Sequence, residues 1–159
     1  MRDPNRSQGH PGVGGAGHVS LAAASSAYAH ASSLASELLA RTLRPNVLVI
    51  GPVARSEATL SAIVGALSTP VRYWTQDVQP PALGEGATIV IRDVATLPLS
   101  LQEAWLARLN APQAHHTQII ATSSIAVFPL VLRRTFLEDL YYRLNTVLLD
   151  VRRSPRAEE

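Results

Sequence analysis

Four consecutive apolar residues, Val47-Leu48-Val49-Ile50, stand between Pro45-Asn46 and Gly51 with no polar residue to give the run a wet side. A half-exposed strand alternates apolar and polar residues. A run without alternation is covered on both faces, the condition of an inner strand in a parallel sheet. Gly51 then leads into a second helical stretch, predicted over Ala58 to Leu67, so this part of the chain reads as the opening of an α/β unit.

Further strand candidates follow at Val71 to Trp74, at Thr88 to Arg92 beyond the Pro-rich turn Gln79 to Pro81, at Thr117 to Thr122, and at Thr146 to Val151. Between them, Ser100 to Leu109 places Leu101, Trp105 and Leu109 on one side at i, i+4 and i+8, a core-facing stripe. Leu137, Leu140, Tyr141 and Leu144 give a short helix feeding the last strand. The expected architecture is a three-layer α/β sandwich around a five-stranded, mostly parallel sheet. Residues 1–19, rich in Gly, Pro, Ser and His, read as a disordered tail. Residues 20–153 read as the α/β domain, entered through an Ala- and Leu-rich helix from Val19 to about Thr42, and 154–159 as a second tail.

Composition narrows the chemistry. The 159 residues, 47% of them apolar, suffice for one domain with a core. All 14 basic residues are Arg and none is Lys, which removes lysine chemistry. Absence of Cys removes disulfides, thiolate metal sites and a cysteine nucleophile. The net charge of +2, with arginines spread along the chain, gives no nucleic-acid footprint, so direct DNA binding is not expected. His10 and His18 lie in the tail, and His115 and His116 are adjacent in a loop without a third ligand, so no metal site is expected. No apolar run reaches the ~18–20 residues of a membrane span, and no signal-peptide core follows the N-terminus, so a cytoplasmic location is expected.

The segment Phe136 to Asn145, FLEDLYYRLN, resembles the F-R-E-D-L-Y-Y-R-L-N segment of the AAA+ ATPase domain of sigma-54-dependent bacterial transcription activators. Three more blocks resemble that family in the same order. They are the Val47 strand with its glycine, the run ALGEGATIVIRDV with the following LPLSLQEAWLARL, and QIIATSS. The resemblance spans roughly Asn46 to Arg152. It implies a P-loop NTPase core with strand order 5-1-4-3-2 and right-handed crossovers.

The same alignment of motifs implies that the catalytic groups are replaced. Where a P-loop reads G-x-x-x-x-G-K-[ST], the chain has Gly51-Pro52-Val53-Ala54-Arg55-Ser56-Glu57-Ala58. Ser56 falls on the second glycine, Glu57 on the lysine and Ala58 on the metal-binding hydroxyl; Arg55 is the nearby cation. At the Walker B positions Arg92 falls on the Asp that holds Mg²⁺, and Asp93 on the Glu that polarises water. Asp93 is therefore expected to partner an arginine or cap the next turn. Ser124 stands at the position that senses the γ-phosphate. Of two arginines that reach a neighbouring subunit's nucleotide, Leu137 replaces the first and Arg143 keeps the second, with pairing to Glu138 or Asp139 as its expected local role. Between Trp74 and Thr88 there is no room for the family's G-A-F-T-G-A loop, and neither a helical lid nor a helix-turn-helix is read after Arg153.

These readings lead to a degenerate sigma-54-activator-type AAA+ domain, not an enzyme, acting as a regulatory or interaction module in transcription control. The expected partner is a protein such as RNA polymerase or a related activator, with self-association into a homo-oligomer as a further expectation and no required cofactor. Two alternatives stay open. One is a residual ATP or ADP binder using Gly51, Arg55 and the helix start without hydrolysis; the other is a receiver-like signalling domain.

Overall fold

The computed structural model describes residues 44–84 and 86–153. The two terminal tails and the helix expected over 19–42 lie outside these residues. The described chain forms five strands: β1 Val47–Ile50, β2 Val71–Trp74, β3 Thr88–Ile91, β4 Gln118–Ser123 and β5 Val147–Asp150. All four strand pairings are parallel, in the order β2-β3-β4-β1-β5. This is the expected 5-1-4-3-2 order, read from the other edge. It removes the receiver-like alternative, whose doubly wound sheet runs 2-1-3-4-5 with β1 next to β2. Here β1 pairs instead with β4 and β5, Val47 facing Ile120 on one side and Val147 on the other.

Among the described residues four α-helices accompany the sheet: α1 Val53–Gly65, α2 Leu99–Leu109, α3 Phe128–Leu132 and α4 Glu138–Leu144. Helix α1 begins five residues before the expected Ala58. Pro52 has φ −53° and its carbonyl accepts from the amides of Arg55 and Ser56 at 2.9 and 3.0 Å, so the first turn closes at once. Nothing from Val53 to Glu57 resists a helix: Ala and Arg favour it, and no second glycine interrupts it. Helix α3 was not foreseen, because five residues carry too little periodicity to show in sequence.

The strands' alternating side chains build two cores. Leu48, Ile50, Ile89, Ile91 and Ile119 face α2 and α4, meeting Trp105, Leu140 and Leu144. Val47, Val49, Val90 and Ile120 face α1, meeting Leu60 and Ile63. Each fully buried Leu or Ile contributes roughly 1.5–3 kcal/mol relative to exposure, so both faces of β1 stabilise the sheet. Trp105 is fully buried and meets Trp74 edge-on, with ring centroids 5.1 Å apart.

One buried polar side chain organises the chain ahead of α4. Gln102 of α2 donates to the carbonyls of Leu97 and Thr135 at 2.8 and 3.1 Å and accepts from the amide of Leu137 at 2.8 Å. Its amide thereby fixes the entry to α4 from the facing helix.

Candidate functional site

In open α/β sheets ligands bind in the crevice beyond the carboxyl ends of the strands. Here that rim is formed by Gly51 after β1, Arg92 and Asp93 after β3, and Ser123 and Ser124 at the end of β4, with the first turns of α1 above them. These groups enclose a crevice of about 140 Å³.

Across it, Glu57 and Arg92 meet. Arg92 donates from Nε to Glu57 Oε1 at 2.8 Å and from Nη2 to Oε2 at 3.0 Å, a bidentate pair. The Arg92 guanidinium also lies 4.9 Å from the ring centroid of Tyr73 on β2. The hydrogen bonds from Arg92 hold the Glu57 carboxyl below its ordinary range, against a smaller opposing effect of burial, with the arginine's charge adding to the lowering. The same bonds raise Arg92.

Beside this pair, Asp93 adopts the left-handed region at φ 47° and turns its carboxylate toward β4. Its Oδ1 accepts from the Ser124 amide at 3.1 Å and the Ser124 hydroxyl at 3.0 Å. Its own amide donates to Thr122 Oγ1 at 3.1 Å. The side-chain partner of Asp93 is thus Ser124, in place of the expected arginine, while Asp93 stands as the cap of the following turn through its carbonyl, which accepts from the Thr96 amide at 3.0 Å and the Thr96 hydroxyl at 2.8 Å. Pairing of β3 with β4 sets the two strand ends side by side, which puts the serine within reach of the carboxylate.

The remaining groups of the glycine junction are occupied within the chain. Ser56 is buried and its hydroxyl donates to the Gly51 carbonyl at 3.0 Å. Arg55 Nη1 donates to the carbonyls of Val151 and Arg152 at 3.4 and 3.2 Å, tying α1 to the end of β5. Gly51 is needed for packing: a Cβ there would lie 2.5 Å from Val151 Cγ2 and 3.0 Å from the Val151 backbone carbon.

Arg143 is not at this crevice. It sits at the end of α4, on the amino-terminal edge of the sheet, where its Nη2 donates to Asn110 Oδ1 at 2.9 Å. The expected pairing with Glu138 or Asp139 is replaced by this contact, because the end of α4 abuts the end of α2 and brings the amide within reach.

Solved structures with the same architecture include NtrX from Brucella abortus in complex with ATP, at 20% identity and TM-score 0.62, matched over 88% of this chain and 39% of that one. The P-loop NTPase domain of the sigma-54 transport activator from E. coli matches 80% of this chain and 96% of that one, at 14% identity and TM-score 0.57. A point variant of RuvB from Thermotoga maritima matches at 17% identity and TM-score 0.56, over 77% and 43% of the two chains. The chain shares the five-stranded, all-parallel α/β fold of these structures, that of a P-loop NTPase domain. No protein-family model matches it, and no curated protein does. It spans well under half the length of NtrX.

Within this fold the sequence motifs brought Gly51, Ser56, Glu57, Arg92, Asp93 and Ser124 to one crevice and set Arg143 apart. Two partners there escaped sequence reasoning. Tyr73 sits under Arg92, and Thr122 receives the Asp93 amide. A tyrosine on an edge strand and a threonine inside a buried one carry no local mark of either contact. Among the described residues no cluster of three His, Asp or Glu side chains has metal-binding geometry, and no helix is long and apolar enough to cross a membrane.

Proposed function

We propose that this chain is a non-hydrolysing member of the sigma-54-activator type of AAA+ domain, serving as a regulatory or interaction module in transcription control. The observation that carries the reading is the bidentate Glu57–Arg92 pair. It fills the place where a P-loop site needs a lysine beside the phosphates and a carboxylate beside Mg²⁺. The groups present do not suit a magnesium nucleotide. A guanidinium has no lone pair to offer a cation. A carboxylate at the lysine position repels phosphate. The crevice, about 140 Å³, falls below the ~300–1,000 Å³ of ordinary small-molecule pockets. Helix α1 also starts where a phosphate loop would wrap, so the amides of Arg55 and Ser56 are bonded to Pro52.

Two things support the transcription setting. One is the likeness of the fold to the sigma-54 activator domain. The other is the FLEDLYYRLN segment, whose Phe136, Leu140, Tyr141 and Leu144 are all buried against the sheet. In the residual-nucleotide alternative Arg55 would have to turn from the carbonyls of Val151 and Arg152, to which its Nη1 donates, toward the phosphates.

Calorimetric titration of the full chain with Mg-ATP, paired with a phosphate-release assay, tests the reading. Neither binding below millimolar concentration nor turnover is expected; micromolar affinity with turnover would overturn it. A pull-down from native host extract then reads the partner, with RNA polymerase or an activator expected.

A further inference from the structure

A second cleft, of about 320 Å³, opens at the opposite, amino-terminal edge of the sheet. Arg44, Asn110, His115, Arg143 and Thr146 line it, and among the described residues no Asp or Glu does. Neither arginine is in an ion pair: among the described residues only Arg92–Glu57 and Arg152–Asp150 are. Two arginines lining one cleft without a described acid raise the local potential, which an anion would relieve.

Both arginines are held in place by neutral partners. Arg44 donates to Thr69 Oγ1 at 3.3 Å, Thr88 Oγ1 at 3.1 Å and the His116 carbonyl at 3.4 Å, while its Nε is buried with no acceptor. Asn46 Nδ2 donates to the Arg143 carbonyl at 2.8 Å and fixes the backbone there, and Asn110 Oδ1 steadies the guanidinium at 2.9 Å. That contact uses one of five N–H donors on Arg143 and leaves the Asn110 amide hydrogens free to donate. We propose that this amino-edge cleft binds a small oxyanion ligand, one bearing a carboxylate or phosphoryl group, held by Arg143 and Asn110 in the field of Arg44. The planar fork of Arg143 matches either group. The cleft, about 320 Å³, has room for a small molecule. The site lies within one chain and at the far end of the sheet from the Glu57–Arg92 crevice, so it stands whether or not that crevice takes a nucleotide.

The test is a thermal-shift and calorimetric titration of the full chain with sodium phosphate and, separately, sodium malonate, each against sodium chloride at matched ionic strength. The midpoint of the wild type is expected to rise with at least one of the two above the chloride control. The two arms separate phosphoryl from carboxylate preference. Arg143→Ala, an exposed position whose loss leaves the core intact, is expected to weaken binding tenfold or more. Ser124→Ala, at the other edge, should leave it unchanged. In NMR titration the Asn110 side-chain amide should move. No rise above chloride for either anion, an equal rise in Arg143→Ala, or shifts confined to Gly51 and Ser124 would each overturn the proposal.

Discussion

Glu57 and Arg92 face each other across the crevice with the charges of a P-loop site reversed. The acid stands on the helix and the base on the strand end, joined at 2.8 and 3.0 Å. Each substitution alone would leave an unmatched charge at the rim; together they tie α1 to β3. The pair is more than a third exposed on both sides, so its coupling is modest, of the order of ~0.5–1 kcal/mol.

A double-mutant cycle with Glu57→Gln and Arg92→Gln, followed by urea denaturation, should return a coupling in that range, shrinking as salt is added. Because the folded carboxyl is held below its ordinary value, the contribution is complete above the unfolded pKa and lost as pH falls through the folded one. Glu57→Lys should destabilise by placing two cations together, and adding Arg92→Asp should recover the loss. Zero coupling at low salt and neutral pH would contradict the geometry.

Asp150 gives the clearest acid-limb prediction. The Arg152 side chain, helped by its backbone amide and by the charges of Arg152 and Arg153, lowers its carboxyl to about 2 against slight burial. The stabilisation is present above the unfolded carboxylate range near ~3.9 and disappears as pH falls from there to about 2. Asp150→Asn should therefore be less stable than wild type at pH 6, by under ~1 kcal/mol given the exposure, with the difference closing across that window. Thermal melts as a function of pH read it directly.

Gly51→Ala should destabilise by about 1–3 kcal/mol, because its Cβ would meet Val151 Cγ2 at 2.5 Å. Adding Val151→Ala should recover part of this and not all, since the Val151 backbone carbon stays 3.0 Å away. Chemical denaturation of the two single variants and the double variant distinguishes packing from a ligand role: the packing penalty appears with no nucleotide present.

Gln102→Leu keeps the volume and removes three hydrogen bonds, leaving the Leu137 amide and two carbonyls without their partner. A loss of about 2–4 kcal/mol in urea is expected. Hydrogen exchange should speed at Leu137, while the amides of β1 stay protected relative to the new global stability.

The apolar run of β1 and the stripe Leu101-Trp105-Leu109 marked the buried strand and the core-facing helix, while the strand order was legible only through the resemblance of the motif blocks. Burial on both faces demands continuous hydrophobicity, and that demand is written locally. The helix start at Val53 was less legible, since the motif suggested a loop while the residue propensities allowed a turn. The pairings of Asp93 with Ser124, of Arg143 with Asn110 and of Arg92 with both Glu57 and Tyr73 join residues far apart in the chain. The sequence alone determined which charged groups the chain holds and in what order its strands and helices come. Only the tertiary structure decided which of those charges meet, because a side chain takes the partner that strand order and helix packing bring within about 3 Å, and no local pattern encodes that distance.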